Sequence, residues 1–307
     1  MNKNGGNFNF TKMKRTKVHQ HIVKGLAKKE LLLEYCIEAF PQLGSKTAVK
    51  KALAAGRIRK GNRIAKARDM VSNGDKIVLE IQEKQLIKQP NLKLDIPLVY
   101  EDEHLIVVNK PGGIAVNGNR NKTVENALAA ATKRSTEADA LVRPTAAHRL
   151  DVPTKGLLVL AKTKRALVGL NRQFQEGSVQ KAYQAVVHGK IMEQGAIDLP
   201  IDGKPALTEF RRLEVMPSRV FGYLSLVHLQ LHTGRTHQLR LHLRSQGHLI
   251  VGDKLYAEGQ KTILGKGLFL CSCELSFRHP IRGESMAFSI AAPSRFQRLL
   301  EKERERL

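Results

Sequence analysis

Residues 156–161 read Gly-Leu-Leu-Val-Leu-Ala, a run without one polar side chain. It is too short for a buried helix and reads as a buried strand. A strand of that kind needs partners along its edges and cover on its faces, so it commits the chain to a sheet with other elements packed on it. Further strands are expected at LIVVNKPGGIAV (strand, Pro-Gly-Gly turn, strand), KAYQAVVHGKI, EFRRLEVM and YLSLVHLQL. Helices are expected at TVENALAAATKR, capped by Thr123, at TKRALVGLNRQF, with Ala166, Leu167, Leu170 and Phe174 on one face, and at THQLRLHLRSQG. Strands outnumber helices and several follow one another directly. The expected class is α+β, with a mixed, largely antiparallel sheet.

Ahead of this region, residues 30–82 read as a separate small α+β unit. ELLLEYCIEAF has helical spacing and ends at Pro41, Ser45 can cap a second helix that stops at Gly56, and a hairpin turns near Gly61. Residues 1–29 carry eight Lys or Arg and no acid, and read as a disordered basic arm. Residues 83–95 read as a linker, and residues 96–307 as the main domain.

The formal net charge of +24 is the main clue to a partner. A surface so basic attracts polyanions, and nucleic acid fits because each neutralised phosphate releases counterions. In the small unit, Lys46, Lys50, Lys51, Arg57, Arg59, Lys60 and Arg63 form a run that no acidic residue interrupts before Arg68. They are the expected RNA contacts. The three cysteines argue against a disulfide framework, and Cys271 and Cys273 alternate on one strand face without the further ligands that zinc would need. No apolar run is long enough for a membrane span or a signal-peptide core. A cytoplasmic location, no membrane and a monomeric chain are the corresponding expectations.

One carboxylate stands out. Asp151 in HRLDVPTKGLLVLAKT follows His148 and Arg149 and stands at the mouth of the buried strand. A neighbouring Arg, either Arg149 or Arg235 in the turn HTGRTHQLR, would hold it in the charged form, which a nucleophile requires and a general acid does not. A structural salt bridge is the plain alternative. His232, His237, His242 and His248 form a His-rich run, but His237 and His242 are five residues apart and no glutamate completes a hydrolytic metal site. RNA phosphate or structural roles are expected for them. Tyr183 opens a strand, where it serves either as core or as a ring that stacks on a base.

These residues carry a resemblance. HRLDVPTKGLLVLAKT resembles the signature of RluA-type RNA pseudouridine synthases, which usually read HRLD, two residues, TSGLL and an AK. NKPGGIAV, QKAYQAVVHG, LHTGRTHQLRLHLRSQGHLIVGDKLYA and LSFRHPIRGESMAFSIAAP resemble its other segments, in order, over about residues 98–293. Residues 30–80 resemble an S4 RNA-binding module. The resemblance implies that a uridine in RNA becomes pseudouridine without a cofactor or metal. It implies that Asp151 is the catalytic carboxylate, that Arg235 holds and charge-matches it, and that Tyr183 stacks on the base and helps remove the C5 proton. Leu239 would wall the pocket, Arg149 would fill the gap left by the flipped uridine, and His148 and Thr154 would contact substrate. Ribosomal RNA is the first expectation for the target and transfer RNA the second. A silent RNA-binding or assembly factor with the same fold is the competing reading. The absence of a carboxylate cluster disfavours a metal-dependent RNA hydrolase. Lys155 stands where the family usually has Ser, Asn117-Gly118 replaces His-Pro, Lys60-Gly61 replaces Asn-Gly, and Glu30-Leu31-Leu32 replaces Arg-Leu-Asp.

Overall fold

The computed structural model describes residues 16–40, 43, 46–82, 94–118, 121–257, 259, 262–263 and 265–306. The expected Ser45 cap, residues 1–15 of the basic arm and residues 83–93 of the linker lie outside them. Cα proximity divides the chain into two units, residues 1–88 and 89–307.

The first unit runs β1 (Thr16–Ile22), β2 (Glu30–Leu31), α1 (Leu32–Ala39), α2 (Lys46–Ala54), β3 (Ile58–Lys60), β4 (Arg63–Ile64), β5 (Met70–Val71) and β6 (Lys76–Gln82). Its sheet has the order β1-β6-β3-β4, and β2 pairs β5. The helical spacing seen in the sequence puts Leu32, Leu33 and Cys36 of α1 and Val49, Ala52 and Leu53 of α2 into one core with Ile58, Ile77 and Leu79. The hairpin turns at Gly61, where φ is +58°. The expectation of disorder to residue 29 is corrected here. Thr16–Ile22 pairs antiparallel with β6 from end to end, and Val23 beyond it is fully buried. An edge strand is held by its backbone ladder and needs no apolar face. Val18 and Ile22 stay exposed, so the composition of this stretch conceals its pairing.

The second unit continues with β7 (Leu98–Glu101), β8 (Leu105–Lys110), α3 (Val124–Ala131), β9 (Ala140–Ala146), β10 (Lys155–Thr163), α4 (Lys164–Glu176), β11 (Gln180–His188), β12 (Gln194–Asp198), β13 (Leu207–Ser218), β14 (Gly222–Leu231), α5 (Gln238–Ser245), β15 (Leu270–Arg278), β16 (Ser285–Ser289) and α6 (Arg295–Arg304). Its main sheet has the order β12-β13-β14-β11-β15-β10-β8-β7, with β16 on β15 and β9 on β10. Pairing is antiparallel except where β10 meets β15 in parallel, at Lys155–Cys271 and Gly156–Ser272. That approach is so close that a Cβ on Gly156 would stand 2.2 Å from the Ser272 carbonyl oxygen, and φ there is +117°. Only glycine fits.

The apolar run of residues 156–161 lies in β10, and both of its faces are covered. Leu158 and Leu160 join Tyr183, Leu239 and α3's Val124 and Leu128. Leu157, Val159 and Ala161 join Ala166 and Leu170 of α4. Thr163 caps α4 by accepting the Ala166 N–H, and Thr123 caps α3 by accepting the Asn126 N–H. Cys271 and Cys273 share a face, packed with Phe296 and Leu300 of α6. The second strand expected after the Pro-Gly-Gly turn is reduced to one bridge, Ala115–Thr123. Ile114 and Val116 are buried against α3 instead, so their apolarity serves packing and not pairing. Among the described residues no helix is long and apolar enough to cross a membrane.

Candidate active site

Asp151 lies in the loop between β9 and β10, which makes a tight turn in which the Thr154 N–H donates to the Asp151 carbonyl. The end of β8 holds that loop. Lys110, with 0% exposure, donates from Nζ to the carbonyls of Pro111 (2.9 Å), Val152 (3.2 Å) and Thr154 (2.8 Å). Burial pulls this ammonium down to about 8, with the charge of Asp151 acting in the opposite direction. The Gly113 N–H adds a bond to the Val152 carbonyl. Lys110 thus fixes the backbone that follows Asp151, at Val152 and Thr154, a role that the strand-turn reading of NKPGG did not reveal.

The Asp151 carboxylate faces two side chains from the segment after β14. Arg240 Nη1 stands 3.4 Å from Oδ2 and His237 Nε2 stands 3.6 Å from Oδ1. Arg240 is itself clamped by Asp253, with Nε and Nη2 each 2.7 Å from a carboxylate oxygen. Its guanidinium also lies 4.8 Å over the ring of Tyr256. Two parallel charge-assisted bonds fix a guanidinium in orientation as well as position, so the third nitrogen is aimed at Asp151. His237 Nδ1 is 2.8 Å from the Tyr256 hydroxyl. His237 also adopts the left-handed backbone conformation, φ +56°, which is uncommon outside glycine and concentrates at functional sites.

This geometry corrects the sequence reading of Arg235. Its Nε donates to the Pro205 carbonyl at 3.0 Å, and the arginine beside the carboxylate is Arg240. The sequence placed both in HTGRTHQLR. What selects Arg240 is its place on α5, whose buried side carries Leu239, Arg240, His242 and Leu243. The buried Asp253 that orients it is 13 residues further on and gave no signal.

Asp151, Tyr183, Arg235, Arg149, His148, Leu239 and Thr154 all line one cleft of about 410 Å³ in the second unit, with Arg240, His237 and Lys181. Tyr183 projects from β11 and is almost fully buried. Burial pushes its phenol up to about 12, and the nearby charge of Asp151 acts in the same direction. Leu239 forms part of the apolar wall with Leu231 and Leu270. Thr154 is buried, and its hydroxyl has no partner among the described residues. Arg149 is exposed at the cleft. His148 differs from the expectation of a substrate contact. Its ring stacks on Phe174 at 4.8 Å and its Nε2 accepts the Val159 N–H. Burial and the charge of Lys181 hold it down to about 3, so the imidazole is neutral.

The remaining histidines have local partners. His242 bonds Thr208 and Leu199, His248 bonds the His188 carbonyl, and His232 lies 3.2 Å from Glu209. Lys155 lies on the face of β10 opposite Leu158 and Leu160, with its stem against Gly112. In the first unit the uninterrupted cation run is less free than it reads. Lys46 pairs with Glu34, Arg59 with Glu80, Lys60 with Asp75 and Arg63 with Asp69. The carboxylates come from outside the run. Lys50, Lys51 and Arg57 have no such pair among the described residues.

Comparison with known proteins gives a consistent result. The family model for RNA pseudouridylate synthase matches residues 104–245. The chain is 38% identical to the ribosomal large subunit pseudouridine synthase D of Zymomonas mobilis, over 67% of this chain and 73% of that one. It is 37% identical to the dual-specificity RNA pseudouridine synthase RluA of Haemophilus influenzae, over 65% of this chain and 94% of that one. The solved structure of human RNA pseudouridylate synthase domain containing 1 superimposes with a TM-score of 0.53 at 26% identity, covering 65% of this chain and 84% of that one.

Proposed function

The chain belongs to the RluA-type RNA pseudouridine synthases, and from that premise we propose that Asp151 drives the isomerisation of a uridine extruded from folded ribosomal RNA. The observation that carries the reading is the carboxylate itself. It is held between Arg240 and His237 in a cleft walled by Tyr183 and Leu239.

A base cannot turn while stacked and paired, so it must leave the helix, at a cost of a few kcal/mol. The basic surface offsets that cost, and Arg149, exposed at the cleft, would fill the gap. The Asp151 carboxylate acts at C1′ as the N1–C1′ bond breaks, and uracil departs as a delocalised anion. The anion turns within the apolar wall, C5 bonds to C1′, and the C5 proton is lost as N1 is protonated. Atoms balance, and no cofactor enters. Glycoside hydrolysis generally needs a second carboxyl to protonate the leaving oxygen. A leaving group as stable as the uracil anion needs that help less, which fits a cleft with one carboxylate. The wall also keeps water from the intermediate. Because its phenol is held so high, Tyr183 suits stacking on the base better than service as a resting phenolate.

The ribosomal assignment is supported by the Zymomonas relative and by the basic first unit, which we read as an S4-like RNA-binding module. Transfer RNA is the alternative. Pseudouridine mapping by carbodiimide-blocked reverse transcription, in cells with and without the gene, tests the assignment. At least one ribosomal site is expected to vanish with the gene. Loss only in transfer RNA moves the target, and loss at no site favours a silent binding factor. Asp151→Asn is expected to retain RNA affinity and lose turnover, and undiminished turnover would refute its role.

A further inference from the structure

Among the described residues, every buried cation in or beside the cleft except one is held by protein atoms. Arg240 is held by Asp253 and Asp151, and Lys110 by three carbonyls. Lys181, at the start of β11, is the exception. It is half-buried and lines the cleft. Among the described residues its ammonium has no carboxylate and no hydrogen bond, and its one polar contact is the face of Phe174, 5.8 Å from Nζ to the ring centroid. A lone charge out of water is costly unless something pairs it. Burial lowers the pKa of Lys181, as that cost requires. His148 stacks on the same phenyl ring and is neutral, so the local positive charge is that of Lys181.

The turn opposite leaves the ammonium accessible. A Cβ on Gly234, in the HTGR turn, would have Lys181 Nζ as its only neighbour within 4 Å, at 3.7 Å. An incoming group can therefore approach there beside the ammonium. The apolar wall and Tyr183 suit the base, and Asp151 suits the ribose. The remaining part of a nucleotide is its phosphate, which brings the charge that Lys181 lacks.

We propose that Lys181 anchors the phosphate of the extruded uridine nucleotide, as a substrate-binding residue distinct from the groups that act on the glycosidic bond. The inference rests on the pseudouridine synthase reading of the cleft. A lysine serves a phosphate as a point charge and tolerates the changing orientation of a nucleotide swinging in.

The test uses the full chain, titrated calorimetrically with uridine, 5′-UMP and 3′-UMP. One of the nucleotides is expected to bind roughly tenfold tighter than uridine, the worth of a charge-assisted bond. Lys181→Gln should bring that nucleotide to the affinity of uridine and leave uridine itself unchanged. Lys181→Arg should keep most of the preference. The proposal is overturned if neither nucleotide exceeds uridine in the unaltered chain (no binding of any of the three included), if the preference survives Lys181→Gln, or if that change weakens uridine equally. Pseudouridine formation by the unaltered chain, on RNA from cells lacking the gene, reports on the parent reading separately. Turnover without a Lys181-dependent preference removes the anchor and leaves the enzyme. A Lys181-dependent preference without turnover removes the activity and leaves a nucleotide site.

Discussion

At the scale of single residues, the site is decided by which of two arginines turns inward. Arg235 and Arg240 are equally basic and five positions apart. One is exposed in a turn and the other is buried on α5. Asp253 makes the difference consequential, because its side chain is fully buried and its charge is answered by Arg240. Arg240→Gln would strand that carboxylate, and removing one partner of a buried pair costs about 3–5 kcal/mol. The expected outcome is a large fall in melting temperature together with loss of pseudouridine formation. Arg240→Lys should not restore activity, since a point charge cannot reproduce the two-bond clamp. Arg235→Gln, at an exposed position, should shift stability by no more than about 0.5 kcal/mol. Thermal denaturation of the three variants, run beside turnover, checks this. A stable, active Arg240→Gln protein would return the charge-matching role to Arg235. Asp151 and Tyr183 stand out in the sequence because each lies beside a strand that the hydrophobic pattern marks, whereas Leu239 and Thr154 enter only through the family resemblance. Arg240, Lys110 and the apolar setting of His148 were not, because their partners lie far away in sequence and only the fold brings them near.

At the scale of elements, apolar patterning identified what is buried and missed what is paired at an edge. β10, α4 and α3 with its Thr123 cap were legible because burial on a fixed period leaves a trace in the sequence. β1 leaves none, since its backbone ladder to β6 holds it. α6 was also missed; it buries only Phe296, Leu300 and Glu303. Tight approaches are visible only as a bare glycine. Gly156 looked like the ordinary start of an apolar run, yet it lets β15 come alongside β10 and so sets the register between the strand that follows Asp151 and Tyr183's neighbour, Ser272. Gly156→Ala would place a Cβ against the Ser272 backbone at a φ that side chains avoid. A loss of about 1–3 kcal/mol is expected from the conformation alone, read as a lower denaturant midpoint at unchanged slope. A variant as stable as the original would show that β10 and β15 can part without cost, and would remove the argument that this contact holds the cleft in shape.

At the scale of the whole molecule, net charge named the class of partner but overstated how much of the surface is available to it. From Lys46 to Arg63 the sequence shows seven cations with no acid among them. Glu34, Glu80, Asp75 and Asp69 reach four of the seven, and RNA would have to displace those carboxylates before gaining the cations. Exposed pairs are weak, typically below about 1 kcal/mol, yet they reduce the net charge that a phosphate meets. Among the described residues, Lys50, Lys51 and Arg57 are the cations of the run without a carboxylate partner. Each phosphate neutralised contributes about 0.7–0.9 to the slope of log affinity against log salt. Changing these three residues to Gln should therefore lower the slope for bulk ribosomal RNA by about 2 to 3. Changing Lys46, Arg59, Lys60 and Arg63 together should lower it by less, although more cations are lost, and should cost some stability in the first unit. Filter binding across a salt series separates the two sets. If the four paired cations prove the steeper contributors, RNA takes them from their carboxylates and the ion pairs of the isolated chain are resting contacts of an RNA-binding face. If the three free ones dominate, the face that meets RNA is centred on the second helix and the turn that follows it.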